Sequence, residues 1–272
     1  MASFKTYLRQ NTEVVVVGLL GFCLAVVGVG IAACRNLSQL STILISVGTS
    51  LIAAAVVTYL SPVSREVYQK FVGLGIDDVY PSRADIPKRN WCAWIRRAKR
   101  RCFLLGIANN NWCADGDFES SVLKAVRSGV EITILFLDPN GNAVITREKE
   151  DGRRNTAGTI RSSIRVVWKE IRSKLDGEAE AQKLLRLYVY DATPSSGVTW
   201  VDDSFMVVTH YLAGFANVTS PALIVKPVET DPDARDLYRT YEENAEKLIE
   251  RSTFLTADNI EDYLPNEDEP RE

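Results

Sequence analysis

One histidine, His210, stands in a chain of 272 residues, and Tyr211 and Leu212 follow it, so no lysine stands two positions on. Five cysteines at positions 23, 34, 92, 102 and 113 include no C-x-x-C pair. Such a scattered, odd-numbered set fits reduced thiols in a cytoplasmic domain. Asp202 and Asp203 are adjacent, so on a strand they point to opposite faces and do not form a carboxylate pair. There is no G-x-S-x-G elbow, no Walker loop and no histidine-built metal cluster. The expectation is a protein that is not an enzyme and uses no cofactor. What remains is recognition. Polar side chains at Asn109, Asn110, Asn111, Asp138, Asn140, Thr209 and His210 can read a base or ribose by hydrogen bonding, and Arg153 and Arg154 can clamp phosphate oxygens. The bland reading of the same Asn and Asp residues is that they form turns.

The elements that position these residues follow from periodicity. Residues 102–107 form a short apolar run and read as a buried strand that ends before Asn109. Residues 117–127 place Phe118, Val122, Leu123 and Val126 on one helical face, and 130–137 are a second apolar strand ending at Asp138. Strand, helix, Gly129 and strand make a βαβ unit with parallel strands. Before it, 90–101 reads as a helix. After it come a polar stretch over 147–155 with the character of a mobile loop, and a long helix over 159–175. Strands are expected at 184–190, 198–201, 204–209 and 222–225, with a hairpin turn at Pro194-Ser-Ser-Gly197 between the first two, then a closing helix over 233–253. If a small ligand binds, its site should lie at the carboxyl ends of the parallel strands.

Two apolar runs precede this domain. Val14 to Cys34 is uncharged over 21 residues, roughly 32 Å at about 1.5 Å of helical rise each, and a second run is most apolar over 40–60. A signal peptide is the alternative, but the first run exceeds a signal core and lacks a small-residue cleavage site. The expectation is a two-helix transmembrane hairpin. Lys5, Arg9, Arg65 and Lys70 flank it and Arg35 sits in its loop, which puts both termini in the cytoplasm and the protein in the inner membrane, with the lipid bilayer as a partner. Small residues at Gly21, Ala25, Gly28 and Ala32 and at Ser46, Ser50, Ala54 and Thr58 form stripes for helix packing, either within one chain or in a homo-oligomer. The resulting division is 1–61 hairpin, 62–89 linker, 90–255 α/β domain with a mostly parallel mixed sheet, and 256–272 acidic tail.

A net charge of −3 gives no sign of a nucleic-acid partner. The basic cluster over 96–101 is the local exception, read either as an anionic-lipid or nucleic-acid patch or as the solvated end of a helix.

The order Ala98-Lys-Arg-Arg-Cys-Phe-Leu-Leu-Gly-Ile107, Leu123-Lys-Ala-Val-Arg-Ser-Gly-Val-Glu-Ile-Thr-Ile-Leu-Phe-Leu-Asp-Pro139, Trp200-Val-Asp-Asp-Ser-Phe-Met-Val-Val208 and Pro221-Ala-Leu-Ile-Val225 resembles the phospholipase D-like superfamily in its degenerate, non-catalytic form. The resemblance covers roughly 90–251. Active members use H-x-K-x4-D motifs with a nucleophilic His, and that motif is absent here. The layout also resembles two-transmembrane effectors of bacterial anti-phage defence, in which a nucleotide signal acts on a membrane module. The implied function is a membrane effector whose cytoplasmic domain binds a nucleotide second messenger or a protein partner. A membrane-anchored phosphodiesterase and a protein-binding scaffold are the alternatives.

Overall fold

The computed structural model describes residues 12–32, 38–60, 69–152, 155–212, 219–228 and 236–264. The chain divides into two units, Met1–Lys70 and Phe71–Glu272.

The first unit pairs α1 (Thr12–Ala32) with α2 (Ser38–Leu60). Their contact is set by two glycines. A Cβ at Gly21 would lie 2.8 Å from the carbonyl oxygen of Gly48, and a Cβ at Gly48 would lie 2.6 Å from that of Gly21 and 2.7 Å from the nitrogen of Ala25. Nothing larger than hydrogen fits there. On α2 the buried positions are Ser41, Gly48 and Ala55, seven residues apart, while Ser46, Ser50 and Ala54 of the expected stripe are exposed. Gly21 and Ala25 take part in the contact; the side chains of Gly28, Ala32 and Thr58 lie outside the described residues. Among the described residues no helix is long and apolar enough to cross a membrane. The expected two-span hairpin, its lipid partner and its inner-membrane topology are corrected accordingly. The two runs instead meet each other at the Gly21–Gly48 contact, and an uncharged run with small residues serves such a helix pair as well as it would serve a bilayer.

The second unit is built on one eight-stranded sheet of order β1-β7-β6-β5-β2-β3-β4-β8, from β1 (Ile76–Tyr80), β2 (Arg101–Leu105), β3 (Glu131–Leu137), β4 (Leu185–Tyr190), β5 (Ser196–Val201), β6 (Phe205–His210), β7 (Ala222–Val225) and β8 (Thr253–Phe254). Only the pairs β2/β3 and β3/β4 are parallel; the other five are antiparallel. The sheet is therefore mixed and mostly antiparallel, where mostly parallel was expected. Parallel pairing requires a helical crossover, and such crossovers occur between β2 and β3 and between β3 and β4. From β5 to β7 each strand instead pairs antiparallel with the next one in sequence. The hairpin expected at Pro194 does not form, because Ser196 and Gly197 are strand residues and β5 pairs with β2 and β6.

Helices α3 (Lys88–Arg97), α4 (Asn110–Cys113), α5 (Phe118–Arg127), α6 (Asn142–Asp151), α7 (Thr156–Arg165), α8 (Ala179–Leu184) and α9 (Leu237–Glu250) accompany the sheet. α7 runs on through a π-helical turn, Val166–Ile171, into a 3-10 turn, Arg172–Leu175. Ile160, Ile164, Val167, Ile171 and Leu175 are all buried along it, so the helical spacing in the sequence survives the change of winding. Strand β3 is buried from Ile132 to Leu137 and forms the core with Leu104, Phe118 and Val122. The stretch expected as a loop over 147–155 begins inside α6, and Arg147 is 4% exposed. The expected linker over 62–89 contains β1 and a turn capped by Ser82 and Asp85. Beyond Leu255 the chain continues into a further turn, with Ile260 and Leu264 buried.

The basic cluster is held by the β5–β6 hairpin. Asp202, in the left-handed region at φ 50°, accepts hydrogen bonds from the backbone N–H groups of Lys99, Arg100 and Arg101 at 2.8–3.1 Å. Asp203 pairs with Arg100 and Arg101, and the Arg101 guanidinium lies 3.8 Å over the Trp200 ring. Burial alone raises the Asp202 pKa, but the three N–H donors outweigh it, and the carboxyl titrates below its ordinary value. A folded pKa below the unfolded one contributes stability above about pH 4 that is lost as pH falls through the folded value. Asp202→Ala is expected to cost about 2–3 kcal/mol in chemical denaturation at pH 7 and to flatten the acid limb of the stability profile.

Candidate functional site

The carboxyl end of β2 opens into a cavity of about 250 Å³. Its floor is backbone. Gly106 follows β2, with its N–H on the carbonyl of Leu135 at 3.2 Å, and Tyr190 Oη donates to the Gly106 carbonyl at 3.3 Å. A Cβ at Gly106 would meet Asn109 Oδ1 at 2.3 Å. Asn109 sits at φ 50°, a conformation that Asn tolerates, and its Nδ2 donates to the Leu135 carbonyl at 2.8 Å. Its amide therefore ties the loop after β2 to β3. Asn110 and Asn111 open α4 with exposed side chains at the rim of the cavity.

The antiparallel strands supply a second wall. Gly197 and Thr199 of β5 and Val207 and Thr209 of β6 share one face of the sheet, with Gly197 opposite Thr209 and Thr199 opposite Val207. Tyr211 follows β6 and its backbone N–H donates to the Ser195 carbonyl at 2.9 Å. Its phenolic oxygen accepts from the N–H of Ile107 at 3.3 Å.

Two arginines complete the lining. Arg147, from α6, is buried with its guanidinium 5.6 Å from the Tyr211 ring centroid and 3.5 Å from Glu150. Arg83, after β1, stacks 4.7 Å over Trp91, which meets Trp112 edge to face at 5.2 Å. Burial lowers the Arg83 pKa, although a guanidinium remains a cation at neutral pH. Burial raises that of Tyr211, against the pull of Arg83 and Arg147, so the phenol keeps its proton. α7 borders the cavity through Thr156 and Thr159. Its first N–H groups are already taken: Thr156 and Ala157 donate to Glu148 at 2.6 and 3.2 Å, and Gly158 donates to Asn155 at 3.0 Å.

No Asp, Glu, His, Cys or Lys lines the cavity among the described residues. Nor does any cluster of His, Cys, Asp or Glu fit to hold a metal ion occur among them. Burial pushes the Cys102 and Cys113 thiols up to about 12 and that of Cys92 to about 11, which leaves them protonated and poorly nucleophilic. The lining offers two guanidinium cations, hydroxyls and amides and no carboxylate among its described residues, while Glu150 pairs with Arg147 from outside it at 3.5 Å. Such a set suits an anion.

The candidates from sequence divide. Asn109, Asn110, Asn111 and Thr209 come together at the cavity. His210 alternates to the other face of β6 and hydrogen-bonds Tyr241 of α9 at 2.9 Å. Asp138 closes an Asx turn onto the N–H of Asn140 at 2.7 Å, and Asn140 is engaged by Arg161 and by the Asp262 carbonyl. Arg153 and Arg154 lie outside the described residues. Arg83, Arg147, Tyr211 and Gly197 escaped the sequence reading, because nothing in composition separates a buried arginine from the other cations of the chain.

A family model described as Domain of unknown function (DUF5919) matches residues 74–255. No curated protein matches. Among solved structures, the archaeal chromatin protein TrmBL2 overlaps 80% of this chain and 70% of its own, at 12% identity and a TM-score of 0.39. Phosphatidylserine synthase of Haemophilus influenzae Rd KW20 overlaps 63% of this chain and 38% of its own, at 13% identity and a TM-score of 0.42. Overlaps of this size carry neither fold nor activity across, so the phospholipase D-like likeness stays a resemblance of sequence pattern.

Gly106→Ala should displace the Asn109 side chain and break its bond to β3. The expected loss is about 1–2 kcal/mol of stability, read from the shift in denaturation midpoint at unchanged slope.

Proposed function

The chain belongs to the DUF5919 family, and we propose that its domain is a receptor for a small phosphate-bearing molecule, a mononucleotide or similar signal, which it holds without turning it over. The observation that carries this reading is the pair Arg83 and Arg147 beside a protonated Tyr211 in a cavity with no carboxylate among its described lining residues. Arginine presents planar donors matched to phosphate oxygens, and a carboxylate-free lining disfavours ligands that carry an ammonium group. At about 250 Å³ the cavity lies below the roughly 300–1,000 Å³ of sites for drug-sized ligands, which points to one small molecule and not to a polymer or an acyl chain. The reading as a receptor without turnover rests on the same lining: it has no histidine, thiol or carboxylate to act as nucleophile or general base, and His210 is on the opposite sheet face with Tyr241 as its partner.

Isothermal titration calorimetry on the full chain tests this. Inorganic phosphate and adenosine 5′-monophosphate are expected to bind and adenosine is not, with Arg147→Ala weakening the phosphate-bearing ligands at least tenfold. Binding should also weaken as salt rises. Equal binding of adenosine, or none of any phosphate-bearing compound, removes the reading and makes a protein or oligonucleotide partner the better explanation. Incubation with a chromogenic phosphodiester should give no turnover; turnover abolished by His210→Ala would return the domain to the hydrolases.

A further inference from the structure

We infer that Tyr211 is the residue that reads the ligand's phosphoryl oxygen, and that Gly197 is required because it admits the phenol to the site; the inference rests on the anion-receptor reading above. The argument is one of donors and acceptors. The Tyr211 oxygen already accepts from the Ile107 N–H at 3.3 Å, which fixes its position at the cavity wall. A phenol has one hydrogen to give, and no acceptor among the described residues takes it. Burial holds the phenol protonated, so at neutral pH it keeps a hydrogen to donate beside the bond it accepts from Ile107. Its neighbours are the cations Arg83 and Arg147, and a third donor converging with two guanidiniums calls for an oxygen-rich acceptor such as a phosphoryl group.

Gly197 supplies the independent geometric observation. A Cβ there would come 2.7 Å from Tyr211 Oη and 3.3 Å from the Leu105 carbonyl, so any side chain on this β5 position would push the phenol away from Ile107. Glycine in a strand interior weakens the strand, and a close approach to a ligand or another group is a common reason for its presence. Here what approaches is the hydroxyl of Tyr211.

The test uses the full chain with inorganic phosphate as the probe. Phosphate affinity is measured by calorimetry, and thermal unfolding without phosphate reports the fold separately. Tyr211→Phe keeps the ring beneath Arg147 and removes only the donor. It is expected to unfold near the wild-type temperature while losing about tenfold or more in phosphate affinity. Gly197→Ala keeps the donor but displaces it, and is expected to lose phosphate affinity to a similar degree. If wild-type protein binds phosphate and folded Tyr211→Phe binds it equally well, the role of Tyr211 is overturned while the anion reading stands. If Tyr211→Phe does not fold, an unchanged affinity in Gly197→Ala overturns it in the same way. If wild-type protein binds no phosphate, both readings fall together.

Discussion

Strand β2 hydrogen-bonds in parallel to β3 along one edge and antiparallel to β5 along the other, and the position of the candidate site follows from that. At its carboxyl end the chain must leave the sheet, while β5, running the opposite way, is just entering it at Ser196 and Gly197. The two strand ends therefore leave a crevice at the point where the sheet changes sense. Gly106 and Gly197 carry no side chain of their own there, and the side chains of Asn109 and Tyr211 occupy the space thus freed. The Asp202 clamp at the other end of β5 and β6 holds the register, by fixing the hairpin to Lys99, Arg100 and Arg101, where the chain enters β2.

The arginines reach this crevice from segments far apart in the chain. Arg83 comes from the turn after the edge strand β1 and is steadied by Trp91; Arg147 comes from α6. Asp191 accepts from the N–H groups of Asn142 and Ala143 at the start of α6, and Glu148, next to Arg147, caps α7. The cation is thus delivered by a helix anchored at its beginning and tied to its neighbour. That anchoring supports a preformed site over one that assembles around its ligand.

Much of the fold was legible because burial imposes periodicity. The βαβ unit from β2 to β3 reads directly from two apolar runs and the Phe118, Val122, Val126 face, and the region of the site follows from where that unit ends. The antiparallel half was less legible, since the turn residues at Pro194 to Gly197 are compatible with a hairpin that the register of β5 then rules out. Thr209 and His210 illustrate a signal that was present: adjacent strand residues face opposite ways, and only one of them could join the cavity. Arg147 illustrates one that was not. It sits in the run Arg-Glu-Lys-Glu-Asp, where charge alone reads as solvated, and only the packing of α6 shows it to be buried. The two apolar helices illustrate a third limit, because an uncharged run serves a glycine-lined helix pair as well as a bilayer.

The most direct measurement of the central claim is hydrogen–deuterium exchange of the full chain with and without inorganic phosphate. The account predicts added protection in the segments around 105–112, 142–152 and 195–211, which carry the cavity floor, Arg147 and Tyr211. Protection confined to the far end of α9 near Lys247 and Arg251, or none in those three segments at saturating phosphate, would contradict it.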